Sequence, residues 1–379
     1  MNNWIEVSEE RLAANFHTIQ KVAGAGTTVL AVIKANGYGH GAETCAPVLA
    51  QAGARWLGVT CASEGARVRA ALAGAGIESL AQPEILIMCG FLPEDVAAIR
   101  THALTPVVWN LEQVGWLGAC AGLRVHVEVN TGMGRQGVLP GESFCALLEE
   151  IGAAGITPDG VFTHFCSSEV ADSSLTALQQ RRFEAVVSQL GEAGLKPSWL
   201  HASNTSAVDN PVCGQAWIQG LAAKIGAKPM VRTGLALYGY ALGIEGGEAG
   251  ELQPKLEPVL SWKGHVLAVR DLAPGETVGY NATFTAAQPM RVALIPVGYA
   301  DGLRRELSGP HGWMMLRGQR VPILGRISMN LTVVDVTGVH GVCAGDEIVI
   351  LGPGITADDH ARLASTIAYE IVCGIHPCG

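Results

Sequence analysis

Several residues able to do chemistry stand directly after short apolar runs. Lys34 closes Val29-Leu30-Ala31-Val32-Ile33 and opens Ala35-Asn36-Gly37-Tyr38-Gly39-His40-Gly41. Arg135 lies in Asn130-Thr131-Gly132-Met133-Gly134, His164 follows Val161-Phe162-Thr163, His201 and Asn204-Thr205 follow Ser198-Trp199-Leu200, and Arg232-Thr233-Gly234 follows Val231. A lysine at the tip of a buried strand loses hydration, which lowers its pKa. A neutral amine forms a Schiff base with a carbonyl cofactor. Each residue alone also fits a bland reading, a surface lysine closing a strand or a satisfied histidine. Together they ask for a scaffold that brings strand ends to one place.

The first 235 or so residues offer one. Apolar runs at Val29–Ile33, Trp56–Thr60, Ile85–Met88, Thr105–Val108, Arg124–Val129, Gly160–Thr163 and Ser198–Leu200, with a last one ending near Val231, alternate with helical stretches such as Ser63–Ala73, Gly141–Ala154 and Ser174–Ala193. Eight strands alternating with helices predict an α/β fold, a (β/α)8 TIM-type barrel, whose chemistry collects at the C-terminal strand ends. After Tyr240 the texture changes. The Gly/Glu segment Gly243–Gly250 reads as a linker, and β-rich runs follow between Gly/Pro turns, with one closing helix near Thr356–Ile371. The expected division is a barrel over 1–240 and a mainly β C-terminal domain over 241–379.

Composition narrows the function classes. Hydrophobic residues make up 49% and charged residues 16%, which suits a large core and argues against disorder. A net charge of -9 without a basic block gives nucleic acid no electrostatic footprint. The ten cysteines are scattered with no C-x-x-C pair, so no metal and no disulfide framework is expected. With no signal peptide read at Met1–Glu6 and no apolar run of membrane-spanning length, the expectation is a cytoplasmic protein without a membrane partner.

The fifth strand carries a finer signal. Arg124, His126 and Glu128 alternate with Val125, Val127 and Val129. Period two sends the valines toward the helices and Glu128 inward, where a carboxylate needs a partner; Arg135 is the expected one. Gly132-x-Gly134-x-x-Gly137 imitates a dinucleotide fingerprint, but Arg135 inside it and Pro140 after it disfavour a helix opening on the glycines.

These segments, with Arg232-x-Gly234-x-Ala236-x-Tyr238-Gly239, Gly279-Tyr280, Gly298-Tyr299-Ala300-Asp301-Gly302 and Tyr369-Glu370, resemble the alanine racemase family in order over nearly the whole chain. The resemblance implies pyridoxal 5'-phosphate on a barrel followed by a β domain. It also implies a homodimer with shared active sites that interconverts L- and D-alanine and supplies D-alanine for peptidoglycan. It makes Lys34 the Schiff-base lysine and one catalytic base, and Tyr280 of the partner subunit the other, linked through His164 to Arg232. Arg232 would face the pyridine nitrogen, and Arg135 the ring oxygen and substrate carboxylate. Met329 of the partner subunit would offer its N–H to that carboxylate. Tyr38, Asn204, Thr205, Gly234, Leu235 and Tyr369 would hold the cofactor, chiefly its phosphate. Tyr299, Arg305, Arg326, Ile367 and Glu169 would surround the substrate entrance. Departures from the family pattern are Glu128 where many members carry a carbamylated lysine, Asn130 for aspartate, Ser328-Met329-Asn330 for Cys-Met-Asp, and an ending without Arg-Val-Pro-Arg. They leave a serine-preferring or broader racemase as the alternative, and a single-domain carrier of the same cofactor as a more distant one.

Overall fold

The structure is a computed structural model that describes residues 2–118, 122–248, 250–252 and 255–377. The chain forms two compact units, one of residues 9–37 and 41–257, the other of residues 1–8, 38–40 and 258–379. The expected break between 240 and 241 did not anticipate that the first residues and a short piece near Tyr38 group with the second unit. Strand β1, Asn3–Val7, explains the first of these: it pairs antiparallel with a strand of that unit, Asn3 opposite Gly264.

The first unit is a closed parallel barrel of β2 (Thr28–Val32), β3 (Trp56–Val59), β4 (Glu84–Ile87), β5 (Leu104–Val108), β6 (Arg124–Glu128), β7 (Thr157–Phe162), β8 (Trp199–His201) and β9 (Lys228–Thr233). Strands buried on both faces must be apolar nearly throughout, and Leu30, Ala31, Leu57, Val59, Ile85, Leu86, Ile87, Val107, Val108, Val125 and Val127 are 0% exposed. Two ends differ from the sequence-based bounds. His201 and Arg232 lie inside their strands, His201 opposite Met230 and Arg232 opposite Leu30. An apolar run underestimates a barrel strand because the ladder continues through polar residues that point inward. The helix Glu9–Ala23 packs on the unit through Asn15, whose amide donates to the carbonyls of Leu237 (3.0 Å) and Glu257 (2.8 Å).

The second unit holds β10 (Leu260–His265), β11 (Ala268–Leu272), β12 (Thr277–Val278), β13 (Phe284–Thr285), β14 (Met290–Ile295), β15 (Trp313–Leu316), β16 (Gln319–Leu324), β17 (Thr332–Asp335) and β18 (Glu347–Leu351). Seven of them join β1 in one eight-stranded sheet in the order β1-β10-β18-β15-β16-β17-β14-β11, and β12 with β13 makes a small hairpin. In β10 Leu260, Trp262 and Gly264 are buried and alternate with half-buried Ser261, Lys263 and His265, the period of a one-sided sheet. The single closing helix expected over 356–371 is two, Ala357–Ala364 and Ala368–Cys373. Ser365 turns left-handed (φ 54) between them and ends the first. Thr356 and Asp359 cap that first helix reciprocally. The eight described cysteines are free, and no described helix is long and apolar enough to cross a membrane. Cys378 and Gly379, part of the unusual C-terminal ending, and residue 249 of the expected linker lie outside the described residues.

Candidate active site

At the C-terminal mouth of the barrel, Lys34 stands two residues beyond β2, where the backbone turns left-handed. Ala35 (φ 52, ψ 50), Asn36 (φ 53, ψ 48) and Gly37 (φ 64, ψ 39) are followed by Tyr38 (φ 52). For Ala35, Asn36 and Tyr38 this conformation costs about 1–2 kcal/mol each, because Cβ crowds the next carbonyl. Hydrogen bonds hold it: Gly37 N–H donates to Ile33 O (2.8 Å), Gly41 N–H to Asn36 O (2.8 Å), and Ala42 N–H to Asn36 Oδ1 (3.1 Å).

Arg232 organises the interior. Its Nη1 donates to His201 Nδ1 (2.9 Å), and its Nη2 faces Thr163 O (2.9 Å), His164 Nδ1 (3.1 Å) and Ala202 O (3.2 Å). Its guanidinium also lies 4.9 Å from the Phe162 ring centre. An arginine only donates, so both contacted Nδ1 atoms must be acceptors, and each histidine carries its proton on Nε2. His201 Nε2–H then donates to His126 Nδ1 at 3.0 Å, which places the His126 proton on Nε2 as well. One guanidinium thus fixes three tautomers. Burial, then the nearby cations, keeps all three rings neutral: His126 is pushed down to about 3, and His164 and His201 lie well below the usual histidine value. Arg232 itself, wholly buried, is pushed down to about 10 by lost hydration. It remains charged at neutral pH.

Glu128 is 4% exposed and in the electrostatic field of Arg232, Arg135 and Lys34. Burial raises its pKa, and the hydrogen bond from Gln136 and those three cations oppose the rise. The partner expected from the sequence was Arg135. No ion pair joins the two among the described residues; Gln136 Nε2 donates to Glu128 instead, and also to Met88 O at 2.9 Å. Gln136 was missed because a glutamine carries no charge signal. Asn130 Oδ1 accepts from the N–H groups of Gly132 (3.1 Å) and Gly134 (3.0 Å), which an aspartate oxygen would also do, so this departure leaves the loop geometry intact.

A second cluster sits after β8 and β9. Asn204 Oδ1 caps the helix Thr205–Asp209 through Ala207 N–H (3.0 Å) and accepts from Ser168 Oγ (2.8 Å). Gly234 N–H donates to Thr205 Oγ1 (3.3 Å), and the one-turn helix Leu235–Tyr238 starts beside it. Among the described residues, Arg232 Nε, Ser203 Oγ and Thr233 Oγ1 are buried without a hydrogen-bond partner. Buried donors of this kind are costly unless something binds them. Glu169 accepts Glu245 N–H through its carbonyl (2.7 Å).

The second unit presents other residues singled out in the sequence. Tyr280, Met329, Ile367 and Tyr299 are exposed at 65%, 56%, 50% and 44%, and Arg305 is exposed too. The turn carrying Tyr299 lies on the Ser328-Met329 backbone: Tyr299 N–H donates to Ser328 O (3.1 Å) and Ala300 N–H to Met329 O (2.9 Å). Gly298 permits this approach, because a Cβ there would meet Ser328 O at 2.2 Å. Buried Asp301 accepts from Gly298 N–H (2.9 Å) and faces Asn330 Nδ2 at 3.5 Å. Tyr280 stands in a turn next to Gly279, whose neighbour is the Arg326 backbone, and the Tyr38 and Tyr369 rings lie 6.0 Å apart.

A parallel (β/α)8 barrel with a lysine, two arginines, a carboxylate and neutral histidines at its strand ends is the scaffold of a lysine-dependent barrel enzyme. Comparison with known proteins narrows the class. Residues 7–242 match the family described as Alanine racemase, N-terminal domain, and residues 259–378 match Alanine racemase, C-terminal domain. An alanine racemase of Symbiobacterium thermophilum is 36% identical, over 98% of this chain and 94% of the relative. The alanine racemase structure from Streptomyces coelicolor A3(2) superposes with a TM-score of 0.83 at 29% identity, covering 99% of this chain and 96% of that one. At 24% identity and a TM-score of 0.82, an alanine racemase from Bartonella henselae with covalently bound pyridoxal phosphate shares the fold, over 100% of this chain and 98% of that one. The chain belongs to the alanine racemase family of enzymes.

Proposed function

We propose that the protein interconverts L- and D-alanine with pyridoxal 5'-phosphate, using Lys34 and Tyr280 of the partner subunit as two opposed bases in a homodimer. The observation that carries this reading is Arg232 of β9, buried, charged and with its Nε without a hydrogen-bond partner among the described residues. That free donor suits an aromatic nitrogen. The hydroxyls of Ser203 and Thr205 and the N–H groups at Gly234 and Leu235 suit a phosphate, with Tyr38 and Tyr369 as further candidates. When bound, the cofactor supplies the electron withdrawal that acidifies the α-hydrogen. Arg232 cannot give up its proton to a ring nitrogen, so that nitrogen stays unprotonated and the electron sink is moderate. Arg135 is the candidate for the substrate carboxylate, with the N–H of the partner subunit's Met329.

Racemisation needs a proton taken from one face of the α-carbon and returned on the other. Lys34 Nζ is the base for one face, and Tyr280 of the partner subunit for the other. The tautomer that Arg232 imposes leaves Nε2–H of His164 as a donor. Such a donor stabilises a phenolate, so His164 suits the task of supporting the tyrosine.

Lys34→Ala should lose both the visible absorbance of lysine-bound cofactor and racemisation in both directions. Tyr280→Phe should keep the absorbance and lose turnover. Mixing the two inactive proteins should restore up to about a quarter of wild-type activity, because half of the shuffled dimers would each hold one intact site. Full activity in Lys34→Ala would end the proposal.

Asn330 favours a second reading of substrate range. Its neutral amide faces buried Asp301 where the family pattern carries a second carboxylate. Supply of D-alanine for peptidoglycan therefore stands beside a broader or serine-preferring racemase. Relative kcat/KM for L-alanine, L-serine and L-lysine separates them, since dominance of serine or lysine would displace the alanine reading.

A further inference from the structure

Glu64 is 5% exposed, in the first turn of the helix Ala62–Gly74, and makes no ion pair among the described residues. A buried carboxylate without a cation needs hydrogen-bond donors. It has two, both from the backbone: Asn36 N–H donates to Oε1 at 2.9 Å and Thr60 N–H to Oε2 at 2.7 Å. Thr60 directly follows β3, which pairs with β2, Val32 opposite Gly58. Asn36 is the centre of the left-handed turn, and its side chain and carbonyl already hold Ala42 and Gly41.

We propose that Glu64 is a positioning residue: its carboxylate ties the left-handed turn after β2 to the end of β3 and thereby fixes the backbone from which Lys34 projects. The physical need is clear from the turn itself. Left-handed backbone at non-glycine residues relaxes toward the right-handed or extended regions unless something over-determines it. Only an acceptor can serve both N–H groups. An amide at this position offers one oxygen, and its NH2 would face the second N–H. The catalytic consequence rests on the proposed function; the anchoring itself does not.

Glu64→Gln and Glu64→Ala test both parts. In each, the Asn36 amide should exchange with solvent on the order of tenfold faster or more, while amides inside β3 such as Leu57 keep their protection. The rate at which the protein free of cofactor attaches added pyridoxal 5'-phosphate to lysine, trapped by borohydride, should fall on the order of tenfold. So should kcat per bound cofactor, with KM for alanine nearly unchanged. Unchanged exchange at Asn36 overturns the anchoring. Faster exchange with unchanged attachment and kcat, or a lower Tm alone, overturns the positioning role. If the wild type neither attaches the cofactor nor racemises alanine, the proposed function fails, and the exchange measurement still decides whether Glu64 holds the turn.

Discussion

Arg232 shows how far one side chain can set the chemistry of others. Because a guanidinium never accepts, its bonds to His201 and His164 decide where those rings keep their protons, and the decision passes on to His126. Glu128 is the counterweight, the carboxylate that shares a field with Arg232, Arg135 and Lys34. Glu128→Gln should leave buried Arg232 without the anion in its field. Added phosphate should then raise the variant's Tm more than the wild type's. Equal anion responses in a titration followed by thermal melting would contradict this account.

At the scale of elements, strands must leave room for what their neighbours point inward. Gly160 in β7 pairs with His126 in β6, and a Cβ on Gly160 would lie 2.5 Å from His126 Nδ1, the atom that accepts from His201. Gly160→Ala should force the His126 ring away from His201 at a cost of about 1–3 kcal/mol. Proton NMR of the buried ring N–H groups would report the broken contact, and an unshifted spectrum would refute it. The same logic explains what sequence reading caught here and what it missed. Alternation in Arg124–Glu128 predicted that Glu128 points inward, since period two is local. It could not show that His126 meets His201, since that contact spans 75 residues.

For the whole molecule, the buried histidines give acid sensitivity a definite sign. His126, His164, His201 and His360 all have folded pKa values below the unfolded one, down to about 3 for His126 and about 4 for His360. Below the ordinary value near 6.5 the unfolded chain binds more protons than the folded one. Their stabilisation is therefore full above about pH 6.5 and is lost as pH falls toward the folded values, by about 1.4 kcal/mol per histidine per pH unit. Glu128 and Asp358, with raised pKa values, act oppositely and lose stabilisation as pH rises through their folded values, but they are two groups against four. Tm should fall steadily from pH 7 to pH 4, and His360→Gln should flatten that fall if it folds. A Tm independent of pH in this window would refute the assignment of neutral buried rings.

The sequence alone determined the barrel's strand alternation, the lysine after the first barrel strand, the arginines and histidine on later ones, and the β texture beyond Tyr240. These are written in local periodicity and in residues adjacent along the chain. Tertiary structure decided which partners those residues found: Gln136 rather than Arg135 for Glu128, a histidine chain under Arg232, and β1 in the second unit's sheet. It also decided that Glu64, an unremarked residue of a helical run, reaches the backbone beside Lys34. Apart from Gln136, only eight residues from Glu128, such pairings depend on chain closure over tens to hundreds of residues, which no local pattern of side chains encodes.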